Sequence, residues 1–281
     1  MLSSSASVFT PTTIDEALEI RAANPDAVPL AGGTDLMVFL ELGTINPASF
    51  IDLWGLRELD TIDVGPDGGL RIGALVTHTG LVNDDRVRLA APSLVEAART
   101  VGAKQIQNRG TLVGNIANGS PAGDTLPVLL ALDAVVEMKS AARGVRRVPM
   151  SELYTGYRQL DLAADELITA VYLPPAHPDD HTHYRKVGTR LAQAISKVVM
   201  GARIRIEGRR VTEARIAYGS VAATPIRVPA VEQALVGQPV DPAVAQLITG
   251  AITPLDDIRS TADYRLSVAR RILEAYLESL R

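Results

Sequence analysis

The sequence predicts an α+β protein of three consecutive units, and three observations support that prediction. Short strands and helices alternate in the first part of the chain, where two glycine-rich stretches follow predicted strands or helices. The prolines within residues 174–178 then interrupt both helix and strand pairing. Beyond them long strands precede helices, an order typical of an α+β unit. We expect a first lobe at residues 1–56, a second lobe at 57–175 and a C-terminal unit at 178–281.

The first lobe is predicted from a helix-start signal and short apolar runs after an N-terminal tail. Thr13 with Glu16 three positions later has the spacing of a capping box. We therefore expect a helix near the start of the first lobe, followed by a strand, a turn, a second helix and a second strand. These elements are placed at about residues 13–23, 28–31, 32–35, 36–42 and 50–53.

The second lobe and the C-terminal unit follow from apolar alternation, turn residues and a proline ahead of a helix. In the second lobe we expect strands at residues 70–74, 133–138, 145–148 and 166–173, and helices near 77–82 and 93–101. In the C-terminal unit we expect strands at 184–187, 196–207 and 211–221, and helices at 228–236, 242–252 and 261–280.

Composition excludes several classes of function. The 281 residues are 47% hydrophobic and 21% charged, with a net charge of −4, so no broad positive field attracts nucleic acid. The absence of cysteine rules out thiolate nucleophiles and thiolate-ligated zinc or iron–sulfur clusters within the chain. No export signal and no run of eighteen apolar residues is present. We expect a cytoplasmic protein without a membrane span or a metal site of its own.

Two stretches rich in small residues are the main candidates for a binding site. The first glycine segment is residues 30–36 (LAGGTDL) and the second is residues 109–124 (RGTLVGNIANGSPAGD). Missing side chains let backbone N–H groups converge on an anion. Two such segments predict a ligand with two phosphates, held between two lobes. The alternatives are a plain turn whose helix is capped by Thr34 or Asp35, and a surface loop for the second segment.

Together these segments resemble the FAD-binding medium subunit of the molybdenum hydroxylases, the family of xanthine and carbon monoxide dehydrogenases. The resemblance extends to Tyr154-Thr155-Gly156-Tyr157-Arg158, Asp165 to Ile168, Arg190 to Val198, and Tyr264-Arg265. It covers essentially the whole chain. The resemblance implies a two-lobed FAD-binding domain of the vanillyl-alcohol-oxidase type, followed by a small α+β domain like that of the carbon monoxide dehydrogenase flavoprotein.

The resemblance also implies cofactors, partners and site residues. Non-covalent FAD would have its pyrophosphate at the glycine segments, its sugar-alcohol portion at Asp124, and Lys197 close to the flavin. The expected cofactor-binding residues are Leu30, Ala31, Gly32, Gly33, Thr34, Asp35, Ile106, Thr111, Gly114, Asn115, Ala117, Ser120, Asp124, Leu167 and Lys197. Molybdopterin would be in a large partner subunit and two-iron two-sulfur clusters in a small one, in a dimer of heterotrimers. Electrons would pass from the clusters to FAD and then to an external acceptor.

Several alternatives stay open at this level. Val113 replaces a glycine usual in the family, so a flavin-free structural subunit is one alternative. A stand-alone FAD-dependent reductase of the same fold is another. The substrate class and the acceptor, whether NAD, oxygen or a quinone-linked carrier, are not given by this subunit. Tyr154, Tyr157, Tyr184 and Tyr218 are candidates for stacking on the flavin, while His78 is expected at a helix start and His177, His181 and His183 in a polar connecting loop.

Overall fold

The first lobe is a small parallel sheet with two helices. The computed structural model describes residues 6–281, so residues 1–5 of the predicted tail lie outside the described residues. The sheet has the order β1-β3-β2, with both outer strands parallel to β3. Its elements are β1 (Ser7–Phe9), α1 (Ile14–Ala23), β2 (Val28–Leu30), α2 (Leu36–Glu41) and β3 (Ser49–Asp52).

Two details of this lobe differ from the sequence prediction. The N-terminal tail expected before the first helix contains a strand, β1, because Val8 pairs with Phe50 of β3 in a contact that local patterns cannot reveal. The predicted capping box is half formed. Thr13 Oγ1 accepts from the amide of Glu16 at 3.2 Å, while the Glu16 carboxylate accepts from the amide of Thr12 at 2.7 Å.

The second lobe contains a five-stranded antiparallel sheet in the order β4-β5-β10-β6-β7. These five strands are β4 (Ile62–Val64), β5 (Leu70–Gly73), β6 (Val135–Ser140), β7 (Gly144–Pro149) and β10 (Leu167–Leu173). The strands β8 (Tyr154–Gly156) and β9 (Gln159–Leu160) pair with each other in a separate two-stranded sheet. The α-helices of the lobe are α3 (His78–Asn83), α4 (Asp85–Ala90), α5 (Pro92–Thr100), α6 (Lys104–Gln107), α7 (Leu112–Asn118), α8 (Leu126–Ala131) and α9 (Met150–Leu153), and a short 3-10 helix spans Arg57–Leu59.

The surface-loop alternative for the second glycine segment does not hold for residues 112–118, which form the helix α7. Thr111 Oγ1 accepts from the amide of Gly114 at 2.9 Å and so caps the start of α7. Gly119, with φ of +60°, ends the same helix in the left-handed conformation that glycine tolerates. The threonine cap therefore outweighs the low helix propensity of glycine and asparagine.

The C-terminal unit is an antiparallel sheet covered by helices. The strands β11 (Asp180–Val187), β12 (Val198–Glu207), β13 (Arg210–Gly219) and β14 (Ile226–Arg227) follow one another in sequence order. The helices are α10 (Pro229–Leu235) and α11 (Ala262–Ser279), while Pro242–Gly250 forms a 3-10 helix. The predicted order of strands before helices is thus confirmed.

The C-terminal sheet packs directly on α8 of the second lobe, whose six residues are all buried. A Cβ atom at Gly201 of β12 would lie 2.7 Å from the carbonyl oxygen of Pro127, so only glycine permits this approach. The buried core of the two lobes continues into the C-terminal sheet at Tyr184, Val199 and Ala217. This contact fixes the C-terminal unit beside the second glycine segment. Within residues 6–281 no helix is long and apolar enough to cross a membrane.

Candidate functional site

A cavity of about 1260 Å³ is lined by both lobes and the C-terminal unit. Of the fifteen site residues predicted from sequence, all but Lys197 line it. These fourteen are Leu30, Ala31, Gly32, Gly33, Thr34, Asp35, Ile106, Thr111, Gly114, Asn115, Ala117, Ser120, Asp124 and Leu167. The fold therefore brings together two segments that are about eighty residues apart in the chain.

The first glycine segment forms a turn between β2 and α2. Gly33 has φ of +75°, a conformation that side chains other than glycine rarely adopt. Asp35 occupies the N-cap position of α2, but its side chain makes no capping hydrogen bond. The capping alternative for Asp35 is therefore not realised. Burial raises the pKa of Asp35, and the positive charge of Arg158 opposes that shift.

The two glycine segments touch each other at the edge of the cavity. A Cβ atom on Gly32 would lie 1.9 Å from the carbonyl oxygen of Arg109, so no larger residue fits there. A Cβ atom on Gly110 would lie 3.2 Å from Thr34 Oγ1. Main-chain groups from both lobes therefore converge on one cavity of about 1260 Å³.

Gly114 keeps one wall of the cavity free of side chain. A Cβ atom there would meet only Thr111 Oγ1 within 4 Å, at 2.8 Å. Its neighbour Val113 is buried in α7 and is not among the residues with positive φ. The β-branched side chain is therefore unstrained. Val113, on which the flavin-free alternative was based, therefore gives no structural reason for loss of a ligand.

Asp124 is buried at the junction with the C-terminal unit. Its Oδ2 accepts from Lys186 Nζ at 2.6 Å, and its Oδ1 accepts from Ser196 Oγ at 2.6 Å. Burial raises the pKa of Asp124, while the Lys186 ammonium opposes that shift. Sequence reasoning missed Lys186, since 62 residues separate it from its partner and only the fold brings them together. The pair links the second lobe to the C-terminal unit beside the cavity.

Lys197 lies outside the set of residues that line the cavity. Its Nζ is 5.1 Å from the centroid of the Tyr264 ring. Its backbone carbonyl accepts a hydrogen bond from the Arg265 guanidinium at 2.8 Å. Lys197 is thus next to the cavity through its main chain, and its ammonium rests against an aromatic ring.

Charged side chains of the C-terminal unit line one end of the cavity. Arg265 is buried, lines this end and donates to Asp257 Oδ1 at 2.7 Å. Burial opposes ionisation of Asp257, but the amides of Arg259 and Ser260 and the Arg265 guanidinium lower the pKa of Asp257 to about 2. The cavity as a whole combines main-chain groups, guanidinium groups and apolar walls, which suits an anionic ligand with flat rings.

The four candidate tyrosines are placed very differently. Tyr157 lines the cavity and is 62% exposed. The other three donate or share hydrogen bonds away from the cavity lining: Tyr154 with Ile116 O, Tyr184 with Thr100 Oγ1 and Tyr218 with Ala269 O. Tyr157 is therefore the member of this set that can reach a ligand in the cavity.

The histidines form no metal centre. Across residues 6–281 no group of three or more histidine, aspartate and glutamate side chains is arranged to hold a metal ion. The prediction of a connecting loop is confirmed for His177 and wrong for His181 and His183, which lie in β11. His183 stacks on Tyr276 with ring centroids 4.5 Å apart. His78 is the first residue of α3, as expected from sequence.

Two family models together cover nearly the whole chain. Residues 4–176 match the model described as the FAD binding domain in molybdopterin dehydrogenase. Residues 182–280 match the model described as the CO dehydrogenase flavoprotein C-terminal domain.

Individual relatives and solved structures agree with these models. The xanthine dehydrogenase FAD-binding subunit of Escherichia coli O157:H7 is 34% identical over 268 residues, which are 93% of this chain and 91% of that protein. The caffeine dehydrogenase subunit beta of Pseudomonas sp. (strain CBB1) is 34% identical over 93% of this chain and 90% of its own length.

Carbon monoxide dehydrogenase from Hydrogenophaga pseudoflava superposes with a TM-score of 0.93 at 27% identity, over 98% of this chain and 96% of that one. Quinoline 2-oxidoreductase from Pseudomonas putida 86 superposes with a TM-score of 0.91 at 28% identity, over 99% and 97%. The chain therefore belongs to the family of FAD-binding subunits of the molybdenum hydroxylases, a family of oxidoreductase components.

Proposed function

We propose that this chain holds FAD non-covalently in the cavity between its lobes and its C-terminal unit. The single observation that supports this most is the convergence of both glycine segments on that cavity. In this arrangement Gly32, Gly33 and Gly114 face the pyrophosphate, and Asp124 faces the sugar-alcohol portion. Leu30, Ile106 and Leu167 supply apolar wall. Lys197 is the proposed residue beside the flavin, and it directly follows Ile195 and Ser196, which line the cavity.

We further propose that the chain is an electron-transfer subunit of a heteromeric enzyme. Bound FAD supplies a centre that exchanges electrons singly or in pairs. Two-iron two-sulfur clusters are assigned to a small partner subunit and molybdopterin to a large one, because the 281 residues contain no cysteine to ligate a cluster. The proposed assembly is a cytoplasmic dimer of heterotrimers. The lobe boundaries at residues 1–56, 57–175 and 178–281 belong to the same proposal.

Reconstitution of the purified chain tests the binding proposal. The chain is unfolded, freed of small molecules, refolded and titrated with FAD while the visible spectrum and flavin fluorescence are recorded. We expect one FAD per chain with shifted absorption bands, and release of free FAD on denaturation because attachment is non-covalent. A chain that refolds but leaves the FAD spectrum unchanged at every concentration contradicts the proposal.

Two glycines provide a matched pair of variants for this titration. Gly114 and Gly80 both donate their amide to the threonine that caps their helix, at 2.9 and 3.0 Å. Gly114 lines the cavity, whereas Gly80 does not. Gly114→Ala should weaken FAD binding at least about tenfold, a loss of roughly 1.4 kcal/mol. Gly80→Ala should leave it unchanged.

The stability of the same two variants shows whether weaker FAD binding results only from a destabilised protein. An added Cβ atom would lie 2.8 Å from the capping hydroxyl at Gly114 and 3.4 Å from it at Gly80. The preference of a helix for alanine over glycine, up to about 1 kcal/mol, offsets this crowding, so neither substitution should unfold the chain. Denaturant unfolding of the FAD-free proteins checks this. Equal FAD affinity of the two variants would count against a ligand at Gly114.

A further inference from the structure

A cation–π contact joins the two lobes directly beside the glycine segments. The guanidinium carbon of Arg109 lies 3.7 Å from the centroid of the Trp54 ring. Arg109 is the first residue of the second glycine segment. Trp54 follows Leu53, whose amide donates to the carbonyl of Leu30 in the first segment at 2.9 Å. Leu53 and Gly110, the chain neighbours of the two stacked residues, both line the cavity, so the stack lies next to the cavity wall.

The main chain at Arg109 touches the first glycine segment. A Cβ atom on Gly32 would lie 1.9 Å from the carbonyl oxygen of Arg109 and 3.1 Å from the amide nitrogen of Gly110. Among residues 6–281, however, no hydrogen bond joins residues 30–36 to residues 109–124. The two main chains are therefore in contact without a polar bond that fixes their distance.

The side chain of Arg109 supplies an attraction at this contact. Arg109 is exposed, and its guanidinium makes no hydrogen bond or ion pair within the part of the chain that the structure describes. Trp54 is half-buried and packs against the core of the two lobes, so its ring is a fixed surface. Tryptophan is also the aromatic residue that attracts a cation most strongly.

We propose that Arg109 and Trp54 are positioning residues for the cofactor site, because their stack holds the main chain of the second glycine segment against the first. The inference rests on the proposed FAD site and adds to it two side chains that act through the main chain rather than on the ligand. A site whose binding groups are already in place loses less free energy to ordering when the ligand binds. The stack therefore raises FAD affinity.

Substitution of Arg109 tests this role by FAD titration. Arg109→Gln removes the charge but keeps a polar side chain, and it should weaken FAD binding about two- to fivefold, the effect of losing one exposed cation–π contact. Arg109→Lys keeps a cation that can lie over the ring and should recover most of that loss. Wild-type affinity in Arg109→Gln, or a loss that Arg109→Lys does not recover, would overturn the inference.

A second contact between the same lobes provides the matched control. Lys139 Nζ in β6 donates to Asp15 Oδ1 in α1 at 2.8 Å, and neither residue lines the cavity. Urea unfolding of the FAD-free proteins should show similarly small losses of stability for Lys139→Gln and Arg109→Gln. Only Arg109→Gln should lose FAD affinity. Equal losses of affinity in both variants would assign the effect to a general weakening of the contact between the lobes.

A double-mutant cycle separates positioning from direct contact of Arg109 with FAD. Trp54→Leu removes the ring, and Arg109→Gln added to it should cause no further loss of FAD affinity. Additive losses would mean that Arg109 acts on FAD without the ring, and would overturn the inference.

Fluorescence of the FAD-free chain follows the stack itself, since Trp54 is the single tryptophan of the sequence. Acrylamide should quench Trp54 more strongly in Arg109→Gln than in the wild type or in Arg109→Lys. Equal quenching in all three would contradict the stack. Failure of the wild-type chain to bind FAD would reject the proposed function and this inference with it. Wild-type binding that Arg109→Gln fully retains would reject this inference only.

Discussion

The most constrained charge beside the cavity is the Asp124 carboxylate. Both its oxygens are engaged by side chains of the C-terminal unit, Lys186 and Ser196, at 2.6 Å. An ion pair with so little exposure is weak evidence for net stability, but loss of one partner leaves a buried charge uncompensated. The pair therefore matters chiefly for how the second lobe and the C-terminal unit are held at the site.

Two lysines near the cavity should respond differently to the same substitution. Lys186→Met leaves the buried Asp124 carboxylate without its positively charged partner. It should lower the free energy of unfolding by about 3 to 5 kcal/mol. Lys197→Met removes only a cation–π contact with Tyr264 and should cost at most about 1 kcal/mol. Urea unfolding of the FAD-free proteins measures both. Adding Asp124→Asn to Lys186→Met should recover part of the loss, and a double variant no better than the single one would argue against the pair.

The neutral imidazole of His78 predicts acid sensitivity of the FAD-free chain. Burial lowers its pKa to about 4 in the folded protein, whereas the pKa is near the ordinary value of 6.5 when unfolded. Between these values the unfolded chain binds more protons, so stability present above pH 6.5 is lost as the pH falls toward 4. The slope is at most about 1.4 kcal/mol per pH unit. The stability difference between wild type and His78→Leu should follow this curve, and a difference constant from pH 7 to 4 would contradict the neutral assignment.

Residue-level sequence reasoning identified cavity-lining residues where a missing side chain is itself the signal. Missing side chains at Gly32, Gly33 and Gly114 are visible in the sequence, and all three line the cavity. It could not identify Lys186 or choose among the tyrosines. Those assignments depend on which face of a strand or turn packs against a segment far away in the chain. Local sequence patterns do not give that packing.

At the scale of elements, contact between α8 and β12 positions the C-terminal unit. Gly201→Ala would place a Cβ atom 2.7 Å from the Pro127 carbonyl and force the two elements apart. We expect a loss of about 1 to 3 kcal/mol in unfolding free energy, with weaker FAD binding because the cavity wall moves. Gly208→Ala is less suitable as a control because φ at Gly208 is +64°. Gly250 is the better matched site, because it is not among the glycines with positive φ and an added Cβ atom there would meet no neighbouring element within 4 Å.

The outcome of Gly201→Ala is read from two measurements on each variant. Thermal melting gives the stability, and FAD titration gives the affinity. Gly250→Ala should match the wild type in both. A Gly201→Ala protein with wild-type stability and affinity would show that close packing of α8 on the sheet does not shape the cavity.

Most elements could be predicted because their signals are local. The helices α1 and α5 follow from a threonine or proline at their start, and the β6–β7 hairpin follows from alternation around a glycine turn. The strand β1 and the helix α7 could not be predicted from local signals. The first depends on pairing with a strand some forty residues away, and the second has a glycine-rich composition that hides a single threonine cap.

At the scale of the whole molecule, two groups of ion pairs add to the contact of α8 with β12 in holding the C-terminal unit on the second lobe. One is the Asp124 pair beside the cavity. The other is Asp133, in the left-handed conformation with φ of +52°, which accepts from three arginines of the C-terminal sheet. These are Arg203 at 2.8 Å, Arg215 at 2.9 Å and Arg227 at 3.3 Å. The cavity thus has walls from all three units, and its shape depends on their relative placement.

Hydrogen–deuterium exchange of the intact chain with and without FAD tests the central claim most directly. The account predicts that FAD slows exchange together in residues 30–36, in 109–124 and in 193–197 of the C-terminal unit, because one ligand touches all three units. Exchange in the helices α10 and α11 should change little. FAD that binds one to one but protects only one glycine segment, or neither, would contradict a cofactor held between them.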